Sequence, residues 1–556
     1  MVERAVISST RRLAALTLAV ATAATLDLAL LAQPSQADDG ATLTVVGTSD
    51  VFDSNLVQTV IEPGFEAAYP QYDFQYVSKG TGAAIAYAEA GTASALIVHA
   101  AALENQFVAS GYSAEEYGRA IFWGDYVLLG PASDPAGVMD GTSASTNITE
   151  AFQKVAAAGA AGDANFVSRG GTPGTTVQEH AIWATTTGVQ TCDVSAANGG
   201  GTSPSTGTGA CASPIAYPSW YHATGLTQGP NIINGDACNY SGGGCYVFTD
   251  RGTFQYLQAT GAVSNLQIVT RPDKDGDAAL ANLLVNSFHA YAISADKFAS
   301  DPNVHINSAA AAAFLDWITS PEAQDRIGQF LSDETGGDPP FIPSAAPDLE
   351  VTSSLPARID GGEKITVTGT LTNAVPGTPA LADVPVRLMA RPASAPGATP
   401  TMVAQGSTDD TGEFRITHAP KASQVYSVET DDITKIENAV LDPVFGDILQ
   451  GTSADAGATK VVGSVTLRKA TVDGRQLVVT AKIAPKATGD QGRLLLFAAH
   501  PGKKLKQVGS RRIADGAGVV ATRFALGSGT WKVQLRYANA GVIVTGSSPT
   551  KQVSVP

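Results

Sequence analysis

The stretch Phe166 to Glu179, FVSRGGTPGTTVQE, holds the residue types best suited to gripping a small anion. An apolar strand end (Phe166, Val167) runs into Ser168, Arg169, two glycines, and then Thr172, Pro173, Gly174, Thr175 and Thr176, after which helix-compatible residues continue through Glu179 to Trp183. The pattern predicts a strand, a donor-rich turn and a helix start. Glycines let the backbone close on a ligand, first-turn N–H groups point outward, and hydroxyls with one guanidinium add donors, so the segment suits a tetrahedral anion. The same residue types are also favoured at an ordinary capped helix start. Two further turns share this character: Gly47 to Ser54, with Thr48, Ser49 and Asp50, and Ser78 to Gly82, with Gly80, Thr81 and Gly82. The tetrapeptide TDRG, with Thr249, Asp250 and Arg251, is another candidate and equally a reasonable β-turn.

No catalytic grouping accompanies these turns. The chain has no GxSxG elbow, HExxH or Walker loop, so it is expected not to be an enzyme and to need no cofactor. His99 in LIVHA reads as a packed residue at a strand end. Asp273, Asp275 and Asp277 alternate as in a calcium loop, but Leu284 stands where the bidentate acid is needed, so no metal site is expected.

The elements that must position the turns follow from periodicity. Leu43, Val45 and Val46 form a short strand, and Leu56 to Tyr69 a helix with Pro63 at an internal break. FQYVSKGTGAAIAYAEAG repeats the strand, turn and helix, ALIVHA is a third strand and AIFWGDYVLLGP a fourth. Alternation of this kind implies a mostly parallel sheet with ligands at the strand ends. Beyond Phe330 the composition shifts: GGDPPFIPSAAPDLE is a proline-rich linker, and a period of two then dominates, as in KITVTGTLTN and GTWKVQLRYA. That region reads as two all-β sandwiches resembling the immunoglobulin-like repeats of bacterial surface proteins.

At 556 residues the chain exceeds one core, and 57 glycines with 30 prolines against 15% charged residues favour turn-rich extracellular structure. A net charge of -16 argues against nucleic acid as a partner, although a local donor cluster can still hold an anion. Arg11 and Arg12 precede an apolar run from Leu13 to Leu31, and Ser35-Gln36-Ala37 offers a cleavage site, so residues 1–37 are expected to be a signal peptide. The protein is then secreted or associated with the cell surface or wall. Its four cysteines, Cys192, Cys211, Cys238 and Cys245, allow three pairings; Cys192 with Cys211 and Cys238 with Cys245 each close a short loop and are favoured.

From about Ala41 to Phe330 the chain resembles the periplasmic-type solute-binding proteins of ABC importers, and within them the tungstate-binding family. The resemblance rests on KGTGAAIA, LIVHAAALENQFVASGY, GDYVLLGPASDPAGV, FVSRGGTPGTTVQEHAIW, YVFTDRGTF and AAFLDWITSPEAQDRI, in that order. It implies an α/β two-lobed periplasmic-binding-protein fold (type II). One lobe holds about Ala41 to Phe122 plus the return to Phe330, the other about Asp125 to Gln258. The expected division is 1–37 signal peptide, 38–335 solute-binding domain, 336–348 linker, and sandwiches at 349–458 and 459–556. The implied function is capture of a small inorganic oxyanion, tungstate or molybdate-like, for an ABC permease. The expected ligand set is Thr48, Ser49, Asp50, Gly80, Thr81, Gly82, Ser168, Arg169, Gly174, Thr175 and Thr249.

The departures from the family fall on those positions. Gly47, Thr48, Ser49 and Asp50 stand where the family has a threonine and serine run, and Thr172, Pro173 and Thr176 replace an acid, a serine and a histidine. A deprotonated oxyanion only accepts hydrogen bonds, so an inward carboxylate would repel it. Asp50 therefore has two readings: acceptor for a protonated anion, as in phosphate-type binders, or cap of a helix beginning near Asp53. Arg169 likewise reads as an anion fork or as the ion-pair partner of Asp250 or another carboxylate. A further alternative is a surface adhesion protein that reuses the fold, meeting a wall or surface partner through its β modules.

Overall fold

The computed structural model describes residues 41–273, 280, 283–376, 378, 380–438 and 445–556. The expected signal peptide and Asp275 and Asp277 of the calcium-like spacing lie outside the described residues. The first region opens with β1 (Thr42–Thr48), α1 (Ser49–Asp53), α2 (Glu62–Ala68), β2 (Asp73–Lys79), α3 (Thr81–Glu89), β3 (Ala95–Val98) and α4 (Ala101–Ala109). A π-helical turn, Val57–Ile61, leads into α2, whose start carries the Pro63 break read from the sequence. β1 pairs in parallel with β2 and β3. All four residues of β3 are buried, as a parallel strand covered on both faces requires.

β4 (Gly118–Pro131) is the strand on which both lobes hang. Its first half pairs with β11 (Val285–Ala292) of the first lobe and its second half, from Tyr126, with β9 (Gly244–Asp250) of the second. Between them come α5 (Ile148–Ala161), β5 (Ala164–Ser168), α6 (Gly174–Thr185), β6 (Thr191–Asp193), β7 (Thr202–Pro204), β8 (Tyr221–Ala223) and α7 (Gln228–Ala237), with α8 (Arg251–Ala259) and β10 (Leu266–Thr270) after β9. The resulting sheet order is β2-β1-β3-β11-β4-β9-β5-β8. Both disulfides take the favoured pairing, Cys192–Cys211 and Cys238–Cys245.

Each lobe has its own aromatic core. In the first, Phe65, Phe74, Phe314 and Trp317 pack together. α9 (Ser308–Ile318) presents Ala310, Ala311, Phe314, Leu315 and Trp317 to that core, and Asn307 starts it by accepting from Ala310 N. α10 (Pro321–Gln329) begins with a Ser320 cap and proline in its first turn. In the second lobe Phe152, Phe166, Trp183, Trp220, Tyr221 and Phe248 do the same. Burying one such ring contributes about 1.5–3 kcal/mol.

The proline-rich stretch 336–348 corrects the sequence reading. It is no free linker: β12 (Phe341–Pro343) pairs with β4 and Phe341 is buried in the first-lobe core. Phe341, Ile342 and Ala345 are apolar, and burying them outweighs the freedom that the surrounding prolines and glycines suggest. Arg251 holds the same segment to the β4 crossover, donating through Nε to Asp125 Oδ1 (2.5 Å) and through Nη1 and Nη2 to Asp338 O (3.1 Å) and Pro339 O (3.0 Å).

The remaining strands are β13 (Asp348–Val351), β14 (Arg358–Asp360), β15 (Ile365–Thr372), β16 (Pro385–Pro392), β17 (Thr401–Ser407), β18 (Glu413–His418), β19 (Gln424–Glu429), β20 (Ile433–Asn438), β21 (Phe445–Leu449) and β22 (Ser453–Val462), and then β23 (Ser464–Asp473), β24 (Gln476–Ala484), β25 (Gly492–Ala499), β26 (Lys506–Arg512), β27 (Val519–Ala525), β28 (Gly529–Asn539), β29 (Ile543–Ser547) and β30 (Lys551–Val555). β13-β15-β18 faces β17-β16-β19-β22 in one sandwich, and β23-β24-β27 faces β29-β28-β25-β26 in the other. Alternate burial along β15 and β25 produces those two-faced sheets. The boundary expected between residues 458 and 459 falls inside β22, which runs on to pair with β29 through Val462 and Val544. A single continuous apolar core therefore links the sandwiches.

The hairpin β20–β21 leaves the first sandwich and adds β21 in parallel to β4. There Asp447 Oδ1 meets His289 Nε2 at 3.0 Å, and His289 Nδ1 meets Glu104 Oε2 at 2.8 Å. Ala120 of β4 packs with Leu371, Leu381, Val384, Ile433 and Leu449 beside this polar chain. Among the described residues no helix is long and apolar enough to cross a membrane.

Candidate functional site

The parallel strands deliver their C-terminal ends, and the helices that follow them, to one line between the lobes. In the first lobe β1 ends at Thr48, which is the N-cap of α1, and β2 ends at Lys79 before the Gly80 N-cap of α3. β1 and β2 run in register with Thr48 beside Lys79, so the two turns are neighbours. In the second lobe β5 ends at Ser168, Gly170 and Gly171 turn the chain at φ 69° and 70°, and Pro173 caps α6. A left-handed pair of this kind favours glycine. None of these three N-caps supplies a side-chain hydrogen bond to its helix. First-turn N–H groups other than Val51 N, which donates to Asp50 Oδ1 (3.1 Å), are thus left available for an acceptor.

The two sides meet closely. Arg169 Nη2 donates to Ser49 Oγ (3.0 Å) and Gly229 N to Asp53 Oδ2 (3.1 Å). Gly80 lies against Pro173, and a Cβ at Gly174 would stand 2.4 Å from His99 Cε1. Gly174→Ala is accordingly expected to force the lobes apart and weaken closure, read as a larger radius in small-angle scattering; an unchanged profile would mean that His99 simply yields.

Within this contact zone Arg169 is buried, with Nη1 donating to Gln228 Oε1 (3.1 Å) and Nε to Leu226 O (3.3 Å). Thr175 Oγ1 donates to the same Gln228 oxygen (3.2 Å), while Gln228 Nε2 donates to Thr249 Oγ1 and Asp250 Oδ2, both at 2.7 Å. Thr48 Oγ1 and Thr81 Oγ1 are buried, 2% and 1% exposed; the Thr48 hydroxyl serves the Asp50 carboxylate, while Thr81 Oγ1 makes no hydrogen bond among the described residues. Buried hydroxyls without partners are costly, by about 1–3 kcal/mol each, unless a ligand answers them.

The site is not purely a donor set. Asp50 is buried, its Oδ2 3.0 Å from His99 Nε2 and 3.4 Å from Asn286 Nδ2. Burial alone would raise its carboxyl, but the charge and hydrogen bond of His99, with Arg169, bring it down to about 2. His99 Nδ1 lies 3.2 Å from Tyr126 Oη, and the ring packs on Phe288. Asp250 caps α8, accepting from Thr253 N at 2.7 Å, and burial with the nearby Asp50 charge pushes its carboxyl up to about 7. Burial draws the Arg169 guanidinium down, against Asp50, Asp53 and Asp250, which draw it up.

Of the residues expected from the sequence, the fold gathers Thr48, Ser49, Asp50, Gly80 and Thr81 from one lobe and Arg169, Gly174, Thr175 and Thr249 from the other. Two are turned elsewhere. Ser168 Oγ donates to Glu179 Oε2 (2.7 Å), in a buried set with Tyr221 and Trp183, and a Cβ on Gly82 would meet Leu103 of α4. Of the two readings of Asp50, the cap of a helix beginning near Asp53 is replaced: α1 starts at Ser49, so Asp50 lies inside its first turn, where its carboxylate meets His99 and accepts from Val51 N (3.1 Å). Arg169 bonds Ser49 and Gln228 rather than pairing with Asp250. His99 and Tyr126, which lie in LIVHAAALENQFVASGY and GDYVLLGPASDPAGV but are not among the site residues expected from the sequence, join the cluster with Gln228 and Asn286, which no motif marks; a glutamine in TQGPNI carries no chemical signal until its neighbours are known.

The sequence has relatives among known proteins. A model described as a PBP superfamily domain matches residues 32–322. A Haloferax volcanii protein described as an ABC transporter anion-binding protein is 31% identical over 344 residues, 61% of this chain and 84% of that relative. The tungstate-binding protein TupA of Peptoclostridium acidaminophilum is 28% identical over 306 residues, 55% of this chain and 85% of the relative. Among solved structures, the tungstate binding protein TupA from Desulfovibrio alaskensis G20 is 27% identical and covers 55% of this chain and 98% of its own, with a TM-score of 0.38.

Proposed function

The chain belongs to the PBP superfamily, and from that premise we propose that it is an exported solute-binding protein that captures a small tetrahedral oxyanion, tungstate or molybdate-like, for an ABC importer. The observation that carries this reading is the cluster between the lobes: three helix starts without side-chain caps, the buried Thr81 hydroxyl without a partner among the described residues, and Arg169 reaching from the second lobe to Ser49 of the first. Such donors satisfy an oxyanion's lone pairs with little reorganisation. The names of the relatives from Haloferax volcanii and Peptoclostridium acidaminophilum support the same class of ligand.

In this reading the anion enters the open cleft, Thr48, Ser49, Gly80 and Thr81 receive it from one side, and Arg169, Gly174 and Thr175 from the other. Closure is favoured because only the closed form satisfies both sets. Each charge-assisted bond contributes about 1.5–3 kcal/mol, so a few give micromolar or tighter affinity. A second reading, a phosphate-type anion carrying a proton, is supported by the carboxylates of Asp50 and Asp250 inside the cluster. The protein is exported by the 1–37 segment, and its sandwiches serve as a surface-facing appendage held to the first lobe.

Calorimetry of the mature chain with tungstate, molybdate, phosphate and sulfate tests the assignment. Heat with tungstate and molybdate is expected. Heat with phosphate alone would favour the second reading, and no heat with any of the four would end both.

A further inference from the structure

One side-chain oxygen in the cluster already receives two of its donors. Gln228 Oε1 accepts from Arg169 Nη1 (3.1 Å) and from Thr175 Oγ1 (3.2 Å), the guanidinium and hydroxyl assigned above to the anion. Two donors converging on one buried oxygen reproduce what a bound oxyanion requires of them. The other end of the same carboxamide is held by Asp250, whose Oδ2 accepts from Gln228 Nε2 at 2.7 Å, with Thr249 Oγ1 also at 2.7 Å. The orientation of the amide follows from its neighbours: Arg169 can only donate and ionised Asp250 can only accept, so the opposite arrangement would set a donor against a donor and an oxygen against a carboxylate.

Resting on the oxyanion-binding reading, we propose that Gln228 is a built-in competitor for the site, its side-chain carbonyl filling one oxygen position of the anion and Asp250 latching it there. Binding then exchanges the Gln228 carbonyl for a ligand oxygen on Arg169 and Thr175. The latch is protonatable. Besides Gln228, Thr249 and Thr253, the ionisable groups acting on or sensing Asp250 are Asp50 from α1, Arg169 from the β5 turn and Tyr126 from β4. When Asp250 is a carboxylate it holds Gln228 Nε2, and the carbonyl stays on Arg169. When Asp250 gains a proton its O–H can donate to the amide oxygen, the carboxamide can turn, and Arg169 Nη1 and the Thr175 hydroxyl are released. An incoming anion adds negative charge beside Asp250 and so favours its protonated form. By linkage, anion binding takes up a proton at Asp250, and affinity rises as pH falls towards about 7, levelling off below it where the free carboxyl is already protonated.

The test uses the mature chain and tungstate. Titration calorimetry of the parent at pH 7, in two buffers of different ionisation enthalpy, should register a net uptake of up to about half a proton per anion, since the free carboxyl is already half protonated there. Affinity should weaken between pH 6.5 and 8.5. Gln228→Ala should bind tungstate about tenfold more tightly, the worth of one released charge-assisted bond. Gln228→Glu should bind more weakly than the parent, because a carboxylate cannot be displaced so readily from a guanidinium. Asp250→Asn should remove the proton uptake and flatten the pH dependence. Gln228→Ala binding equally or more weakly, as a donor to the ligand or a scaffold residue would, overturns the proposal. So does a parent that binds tungstate with no proton uptake, a result that needs no variant to fold. A parent that binds none of the anions fails at the earlier step: the oxyanion reading falls, and the proposal with it.

Discussion

Arg169→Ala is expected to weaken oxyanion binding by about 2–5 kcal/mol, roughly 30-fold to several thousand-fold, with little loss of folded protein. Arg169 is the fork in the cluster and also the bridge across it, donating to Ser49 of one lobe and to Gln228 and Leu226 of the other. Its removal takes a charge from a ligand that carries the opposite one, and leaves Asp50, Asp53 and Asp250 without the positive group that offsets them. Arg169→Lys keeps the charge and loses the planar two-pronged geometry, so an intermediate loss is expected. Calorimetry with the best-bound anion measures both, and an alanine variant that binds as tightly as the parent would remove Arg169 from the site.

The second large effect lies outside the cleft. Asp447→Ala should destabilise the attachment of the sandwiches to the first lobe by about 3–5 kcal/mol, since it breaks a buried pair and strands the other partner. Glu104, His289 and Asp447 are 1%, 3% and 2% exposed, and Tyr291 Oη donates to Glu104 Oε2 at 2.7 Å. Burial would lower the His289 imidazole, but Asp447 and Glu104 outweigh it by charge and hydrogen bonds and raise it well above its ordinary value. A group whose folded value is raised gives its full stabilisation below its unfolded value, here about 6.5, and loses it as pH climbs through the folded one. Urea denaturation from pH 6 to 10 should show stability falling on the alkaline side in the parent, and His289→Gln should lessen that slope. Amide exchange along β21 and β22 should quicken in Asp447→Ala. Unchanged exchange there would mean that strand pairing with β4 and the apolar contact around Ala120 suffice.

This clasp also alters the picture of the C-terminal modules. The proline-rich stretch read as a linker suggests two beads on a flexible string. Instead β12 and β21 both add to β4, so lobe and sandwich share a sheet. A sandwich attached in this way would be carried with the first lobe in the closure proposed above.

Local signals served the sequence reading well where the physics is local. Alternation along KITVTGTLTN and the apolar run ALIV report which faces are buried, and both became the strands they imply. Glycine pairs such as Gly170-Gly171 mark a backbone that must turn left-handed, and they do. The pairing of the cysteines followed from short loops. Ser168 shows the limit: its type and place in a donor-rich turn suit an anion, yet Glu179, buried one helix away, takes its hydroxyl.

What the amino-acid order determined by itself was the repeating strand, turn and helix, the donor-rich character of each turn, and the change to a period of two after Phe330, because these depend on neighbours a few residues apart. What only the tertiary structure decided was which polar groups confront one another. Ser49 and Arg169 are 120 positions apart, and Glu104 and His289 are 185 apart. A buried charge or hydroxyl must find its complement wherever packing of the apolar surfaces puts one, so the partners of Asp50, Gln228 and His289 exist only once the lobes and sandwiches have closed on each other.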